Sequence, residues 1–244
     1  MNKVKSSIII ILSLIILGQT FNYAQDSLEV SNQKAKEVIE RYLTAIGGRE
    51  ALSNIEDRTT IMRGSAMGQS LTMIVKQKAP NKMRQEVKAG GMDQLVVFDG
   101  EKGIMKVAEQ KIDIAGKELE QLKIEATLNI LLDPESFGIK ISFEGEENTG
   151  DVNMFKIKFI LPSGIRWFEY FDATTGLKVK EEKELQTEMG IIQQTVNYDN
   201  YTEVDGIKYP FKITQSVAGQ VIDVAVSSIK INKGLSDDLF VIAE

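Results

Sequence analysis

The sequence predicts a mainly β, α+β protein: a single curved antiparallel sheet of about ten or eleven strands, forming an unclosed barrel with two helices as lid or plug. Three observations carry this. First, Ser70–Gly100 reads as three successive strands, with Leu71, Met73 and Val75 alternating with Thr72, Ile74 and Lys76, then Met83, Gln85 and Val87 alternating with Arg84 and Glu86, then Leu95–Phe98. A period of two is what a half-buried strand requires, because successive side chains point to opposite faces. Second, turn residues punctuate the chain: Pro80-Asn81, Gly90-Gly91 and Asp99-Gly100 here, and Pro162-Ser163-Gly164, Thr175-Gly176, Asp205-Gly206 and Ala218-Gly219 downstream. Third, only two long segments carry apolar residues at helical spacing, too few to cover both faces of so large a sheet. The economical solution is a sheet curled around its apolar face, with the helices closing the open side.

The elements follow in order. Lys3 and Lys5, an apolar run from Ile8 to Leu17 and a small residue at Ala24-Gln25 have the order of a secretory signal peptide. The apolar run is well short of the ~20 residues that span a bilayer. Residues 1–24 are therefore expected to be removed, leaving 25–244 as one half-barrel domain. Ser31–Ile46 reads as an amphipathic helix through Ala35, Val38, Ile39, Tyr42 and Ile46, closed by Gly47-Gly48. A short turn at Arg49–Ile55 leads into a strand over Arg58–Met67, the three central strands and a further strand at Gly103–Val107. Gly116–Asp133 is the second helix, with Leu119, Leu122, Ala126 and Ile130 on one stripe and Ile124, Leu128, Leu131 and Leu132 beside it. So wide an apolar arc suits a helix packed into a core and a helix lying over a cavity about equally. Strands are expected at Met154–Leu161, Ile165–Asp172, Leu177–Leu185, Ile191–Tyr201, Ile207–Val217 and Val221–Ile231. Pro210 places its strand at an edge or a bulge. The tail, Leu235–Ala243, is expected to dock as a last short segment.

Composition excludes much chemistry. The chain has no cysteine and no histidine. Disulfides, lipid attachment at an N-terminal cysteine, Ser-His-Asp and Cys-His catalysis and the usual zinc sites are out of reach. No glycine-rich phosphate-binding motif is present, so no cofactor and no metal is expected. Loss of residues 1–24 removes two lysines and no acid, leaving 27 basic against 35 acidic residues, a formal charge of −8. An acidic chain without a basic block argues against nucleic acid as a partner. Paired-carboxylate hydrolysis remains, with Glu169 and Asp172 or Glu181 and Glu184 as candidates, although a solvated strand face accounts for them better. The acidic run Glu144–Asp151 has oxygen ligands enough for calcium but lacks EF-hand spacing, and reads better as a hairpin tip. Met62, Met67, Met73, Met83, Met92 and Met105 gather around the first strands, where methionine fills cores or lines adaptable apolar cavities.

Four stretches, YLTAIGGREAL (Tyr42–Leu52), QKAPNKMRQEV (Gln77–Val87), VFDGEKGIMK (Val97–Lys106) and VDGIKYPFKI (Val204–Ile213), resemble exported proteins of the outer-membrane lipoprotein-sorting type, the LolA/LolB and LppX superfamily. The resemblance implies an unclosed antiparallel barrel that holds acyl chains under a helical lid, in agreement with the order of elements above. In carriers of this type an arginine locks the lid, and Arg41, Arg63 and Arg84 are the candidates here. Relatives also occur joined to secreted peptidases, which keeps open an accessory, protein-binding module of an envelope or secreted protease complex.

The expectation is thus a soluble, monomeric, non-enzymatic periplasmic protein that binds a lipid or the acyl chains of lipoproteins, with lipoproteins or an envelope membrane protein as partners. Strand parity assigns Met73, Val75, Met83, Leu95, Val97, Phe155, Phe159, Trp167 and Phe171 to the cavity, and Leu122, Ala126 and Ile130 to the lid helix. One bulge would reverse the parity of any strand. A charge at Phe159 is expected to abolish binding of an apolar probe and leave the fold intact.

Overall fold

A computed structural model describes residues 29–66, 68–187 and 190–242. The signal-peptide expectation lies outside the described residues, as does Met67. Thirteen antiparallel strands form one sheet, more than the ten or eleven expected. They are β1 (Asp57–Ala66), β2 (Gln69–Lys78), β3 (Lys82–Ala89), β4 (Met92–Phe98), β5 (Gly103–Val107), β6 (Gln110–Ile114), β7 (Lys140–Thr149), β8 (Val152–Ile160), β9 (Arg166–Asp172), β10 (Lys178–Thr187), β11 (Gly190–Val204), β12 (Ile207–Val217) and β13 (Gln220–Ile231). Short β6 escapes sequence reading because four of its five residues are exposed and its alternation amounts to two residues, Ile112 and Ile114.

The sheet is two meanders joined in the middle. Its spatial order runs from β6 down to β1, then from β13 down to β7. The first and last strands pair with each other, while the edges β6 and β7 remain unpaired and are linked through helix. Register shifts at Ile61/Met62, Phe143/Gly145 and Lys178/Lys180 mark bulges, which bend a sheet and increase its twist. Pro210 sits where β12 pairs with β11 alone, since pairing with β13 begins at Lys212. That is the edge-like position its missing N–H requires.

Helix α1 covers residues 29–46. It buries Ala35, Val38, Ile39, Leu43 and Ile46 against the inner face of β7–β9 and β12. Gly47 follows at φ 139, and a Cβ there would meet the Gly206 carbonyl at 2.8 Å, so only glycine lets the helix end this close to the β11–β12 turn. A third, short helix, α2 (Arg49–Ser53), then leads to β1. Helix α3 spans Gly116–Ala126, shorter than the expected Gly116–Asp133. Thr127 turns extended and Asn129 adopts φ 52, a conformation asparagine tolerates, while its Nδ2 donates to the Leu52 carbonyl at 2.7 Å. This tertiary tie overrides helical propensity, and the apolar run continues as 3-10 turns at Ile130–Leu132 and Pro134–Phe137.

The ends are fastened. Asp57, buried at the start of β1, accepts from the backbone N–H groups of Lys233, Gly234 and Leu235. The tail docks as expected: Phe240 is buried in a 3-10 turn, and Arg84 donates to the Leu239 carbonyl. The acidic run Glu144–Asp151 forms the end of β7, where Lys158 and Lys156 of β8 pair with Glu144 and Glu147. Two apolar clusters result. The larger lies under α1 and holds Ile157, Phe159, Trp167 and Phe171; the smaller lies under α3 and joins Met83, Val96 and Phe98 to Leu122 and Ala126.

Candidate functional site: a cavity with a charged floor

Between the two clusters the inner face leaves a cavity of about 380 Å³. Its roof sets apolar side chains, Leu43 and Ile46 from α1, Leu52 from α2, Ile124 from α3, and Ile130 and Leu131 from the segment after it, beside the polar Gln121, Glu125, Thr127 and Asn129. Leu161 and Ile165 of the β8–β9 hairpin continue this wall. The floor is the sheet, and it is charged. Arg58 comes from β1, Gln77 from β2, Trp167 and Glu169 from β9, Lys178, Glu181 and Lys183 from β10, and Tyr198 from β11.

Pairing across the sheet explains why these groups converge. Glu181 stands directly opposite Glu169 on one side and Val196 on the other, and Lys183 stands opposite Trp167. Residues paired in this way share a face. Both glutamates are 4% exposed. Lys178 Nζ lies 3.0 Å from Glu181 Oε2 and 3.5 Å from Glu169 Oε1, and Lys183 Nζ lies 2.8 Å from Glu181 Oε1. Trp167 donates its indole N–H to Glu169 Oε1 at 3.3 Å. Glu169 Oε2 is buried without a partner.

The two carboxylates therefore differ. Burial disfavours ionisation of Glu181, but Lys183 and Lys178 more than offset it and hold its pKa down, to about 2. Burial also opposes ionisation of Glu169, and the facing Glu181 adds to this, so its pKa is raised despite Lys178. Burial works against the Lys178 ammonium, yet Glu169, Tyr198 and Glu181 keep it well above the ordinary lysine value.

Polar contacts hold α3 over the mouth. Gln77 Nε2 donates to the Glu125 carbonyl at 2.7 Å, and Gln77 Oε1 accepts from Arg58 Nη2 at 2.6 Å. Lys183 lies 3.8 Å from Glu125, and Gln121 donates to the Glu184 carbonyl.

No protein-family model matches the sequence, and no curated protein matches it. Solved structures do match in fold. A LolA superfamily protein from Nitrosomonas europaea aligns with 87% of this chain and 98% of its own at TM-score 0.56 and 14% identity. A domain described as that of an outer membrane lipoprotein-sorting protein, from Vibrio parahaemolyticus, aligns with 86% and 97% at TM-score 0.56 and 12% identity. A DUF1329 family protein from Desulfovibrio piger aligns with 84% and 96% at TM-score 0.54 and 13% identity. The fold is the one these three structures share.

Within this fold the expected cavity residues separate into three groups. Trp167 lines the cavity, as does Ile130 of the expected lid set. Met73, Val75, Met83, Phe155, Phe159 and Phe171 lie on the inner face, but mostly as filled core: Val75 and Met83 pack with Leu122 and Ala126, and Phe155, Phe159 and Phe171 belong to the cluster under α1. Leu95 and Val97 are on the outer face. They alternate with Val96 and Phe98, which face α3, and Val97 is paired with Arg84 beneath the C-terminal turn. Parity was reversed there because four apolar residues in a row carry no alternation. Helix α3 uses Leu122 and Ala126 to anchor on β3–β4 and turns Gln121, Ile124 and Glu125 to the cavity.

None of the three candidate arginines lines the cavity. Arg41 donates to the Ala173 carbonyl, Arg63 is exposed on β1, and Arg84 pairs with Glu86 on the outer face. Arg58 lines the cavity floor, and Arg166 lines its rim, where it pairs with Glu184. The carboxylate pairs suggested by sequence do not form either. Asp172 caps a turn through Thr174 and Thr175, and Glu184 pairs with Arg166 at the rim. Met83 and Met105 belong to the cluster under α3, so here methionine fills core.

Proposed function

We propose that this protein is a non-enzymatic carrier of the cell envelope that shelters one amphiphile, a lipid or an acyl chain of a lipoprotein, in the cavity beneath α1 and α3. The observation that carries this reading is the two-sided cavity: apolar side chains in a roof of helices and hairpin over a charged floor from the sheet, the pattern an amphiphile needs at its two ends. The LolA-type fold supports it. Each methylene that leaves water for the roof contributes about 0.8 kcal/mol. At about 380 Å³ the cavity is near the lower end of the range for drug-sized ligands, roughly 300–1,000 Å³, which suits a single chain.

In this reading α3 is the lid. Its anchoring face, Leu122 and Ala126, stays on the sheet, while Ile124 and, beyond it, Ile130 cover the ligand. The polar contacts of Gln77, Gln121 and Lys183 release first, because each holds only one or two hydrogen bonds. Catalysis finds little support in the floor. Glu181 is held ionised by two lysines, which makes it a weak base, and Lys178 contacts both it and the facing Glu169. A single copy suffices for the cavity, and the acidic balance of the chain argues against nucleic acid as a partner. Lipoproteins or an envelope membrane protein would be the donor and acceptor.

Native mass spectrometry of the chain, expressed with its leader in a bacterial periplasm and purified without detergent, tests the reading. A co-purifying mass that solvent extraction identifies as lipid or acyl chain is expected. A clean unliganded mass, from protein that also fails to take up a fluorescent fatty acid, would overturn it and favour a protein-binding module.

A further inference from the structure

The floor of the cavity contains more buried polar chemistry than a container for acyl chains needs. Trp167 Nε1 and Lys178 Nζ both approach Glu169 Oε1, and nothing approaches Oε2, although Oε2 is fully buried. Glu181 stands directly opposite, and like charges in that position destabilise a sheet. Both facts fit a neutral Glu169, with Oε1 as the carbonyl and Oε2 carrying the proton. Glu169 lines the cavity, so Oε2 is then a buried hydrogen-bond donor beside it with no acceptor, a costly state. Burial and Glu181 raise the Glu169 pKa in the same sense.

With Glu169 neutral, the charges on the floor do not balance. Arg58, Lys178 and Lys183 supply three cations on the floor. Glu181 is shared between the lysines, and Glu125 at the mouth meets Lys183. Arg58 directs Nε and Nη2 to the neutral Gln77 Oε1, and among the described residues no carboxylate pairs with it. Tyr42 lines the same cavity and feels Lys178, Glu169, Arg58 and Glu181 together. Donors and one cation without a carboxylate partner thus line this space beside Gln77 and Glu181, acceptors that are already engaged.

We infer that this floor is a headgroup subsite and that the cavity takes an amphiphile ending in one anionic oxygen group, a carboxylate or a phosphate ester, which accepts from Glu169, Tyr42 and Arg58. The inference rests on the carrier reading and narrows it: the acyl part lies under the helices, and the acid end points at the sheet. A neutral ester would leave Arg58 unbalanced, and an alkylammonium would add a cation to three others.

Calorimetry with matched single-chain probes below their micellar concentrations tests this. Dodecanoate is expected to bind at least about tenfold more tightly than methyl dodecanoate, with dodecylammonium weakest. Dodecyl phosphate measured beside dodecanoate separates a lipid phosphate from a fatty-acid carboxylate as the preferred source. Arg58→Gln should lose most of the preference for the acid and retain binding of the methyl ester. Should that variant fail to fold, the ranking on the unaltered protein decides. Equal binding of acid and ester, or tightest binding of dodecylammonium, would overturn the headgroup subsite and leave the carrier reading standing. Binding of none of the probes would overturn both.

Discussion

Glu169 and Glu181 face each other across the β9–β10 ladder, both buried, and share Lys178 between them. One ammonium cannot serve two carboxylates equally. Glu181 also has Lys183 and Tyr198, whereas Glu169 has the Trp167 indole and an oxygen left bare. The asymmetry makes Glu181 a structural anion and Glu169 a titratable group at the cavity floor.

Glu181→Gln should therefore be strongly destabilising. Removing one partner of a buried ion pair costs about 3–5 kcal/mol, because the other charges stay buried without compensation. Urea denaturation at neutral pH measures it, and a loss below about 1 kcal/mol would show that solvent reaches the lysines. The pH dependence has a definite sign. The Glu181 pKa is depressed in the folded state, so its stabilisation is complete above the ordinary carboxylate value and is lost as pH falls from there toward about 2.

Glu169→Gln should behave oppositely. The folded protein keeps the Glu169 proton at pH values where the unfolded chain has released it, so this residue lowers stability as pH climbs from the ordinary carboxylate value to its raised one. Glutamine has no proton to release. The Tm of the variant relative to the unaltered protein should rise with pH across that window and then level off. A Tm difference that stays constant from about pH 4 to pH 9 would contradict the assignment.

Phe159 reports on folding rather than binding. It is fully buried and stacks on Trp167 with ring centroids 4.8 Å apart. Phe159→Ala should cost about 3–5 kcal/mol in urea denaturation. A charge at this position should prevent folding, not merely empty the cavity as parity alone suggests.

The hold on α3 can be weakened at one residue. Gln77→Leu removes the hydrogen bond to the Glu125 carbonyl and the acceptor for Arg58. A net contribution near 1 kcal/mol predicts roughly fivefold faster amide exchange in α3, with β8 and β9 unchanged. Unchanged exchange in α3 would mean that Leu122 and Ala126 alone keep it in place.

The sequence made the strands legible where turn residues and alternation coincide, as in β2–β4 and β8–β9. It concealed β6, whose side chains are almost all exposed, and the end of α3, where a bond from Asn129 to Leu52 decides the matter. The site was less legible than the fold. Trp167, Glu169 and Phe171 share a parity, so placing the two aromatics inside already places Glu169 inside; burial of its carboxylate was readable there and was outweighed by the assumption that acids face water. Strand β10 gave no such hint, because Lys180–Glu184 is charged at every position. Only pairing with β9 and β11 shows that Glu181 and Lys183 point inward. Likewise, no local feature of β1 distinguishes Arg58 from Arg63.

The order of the sheet has a mechanical consequence. The halves β1–β6 and β7–β13 touch along one ladder, β1 with β13, and their far edges are unpaired. The molecule is in effect a clamshell whose spine is that ladder and whose hasp is the helical segment between β6 and β7. Prising the shell open breaks no strand-to-strand hydrogen bond, so the width of its mouth is set by side chains on the hasp rather than by the backbone of the sheet.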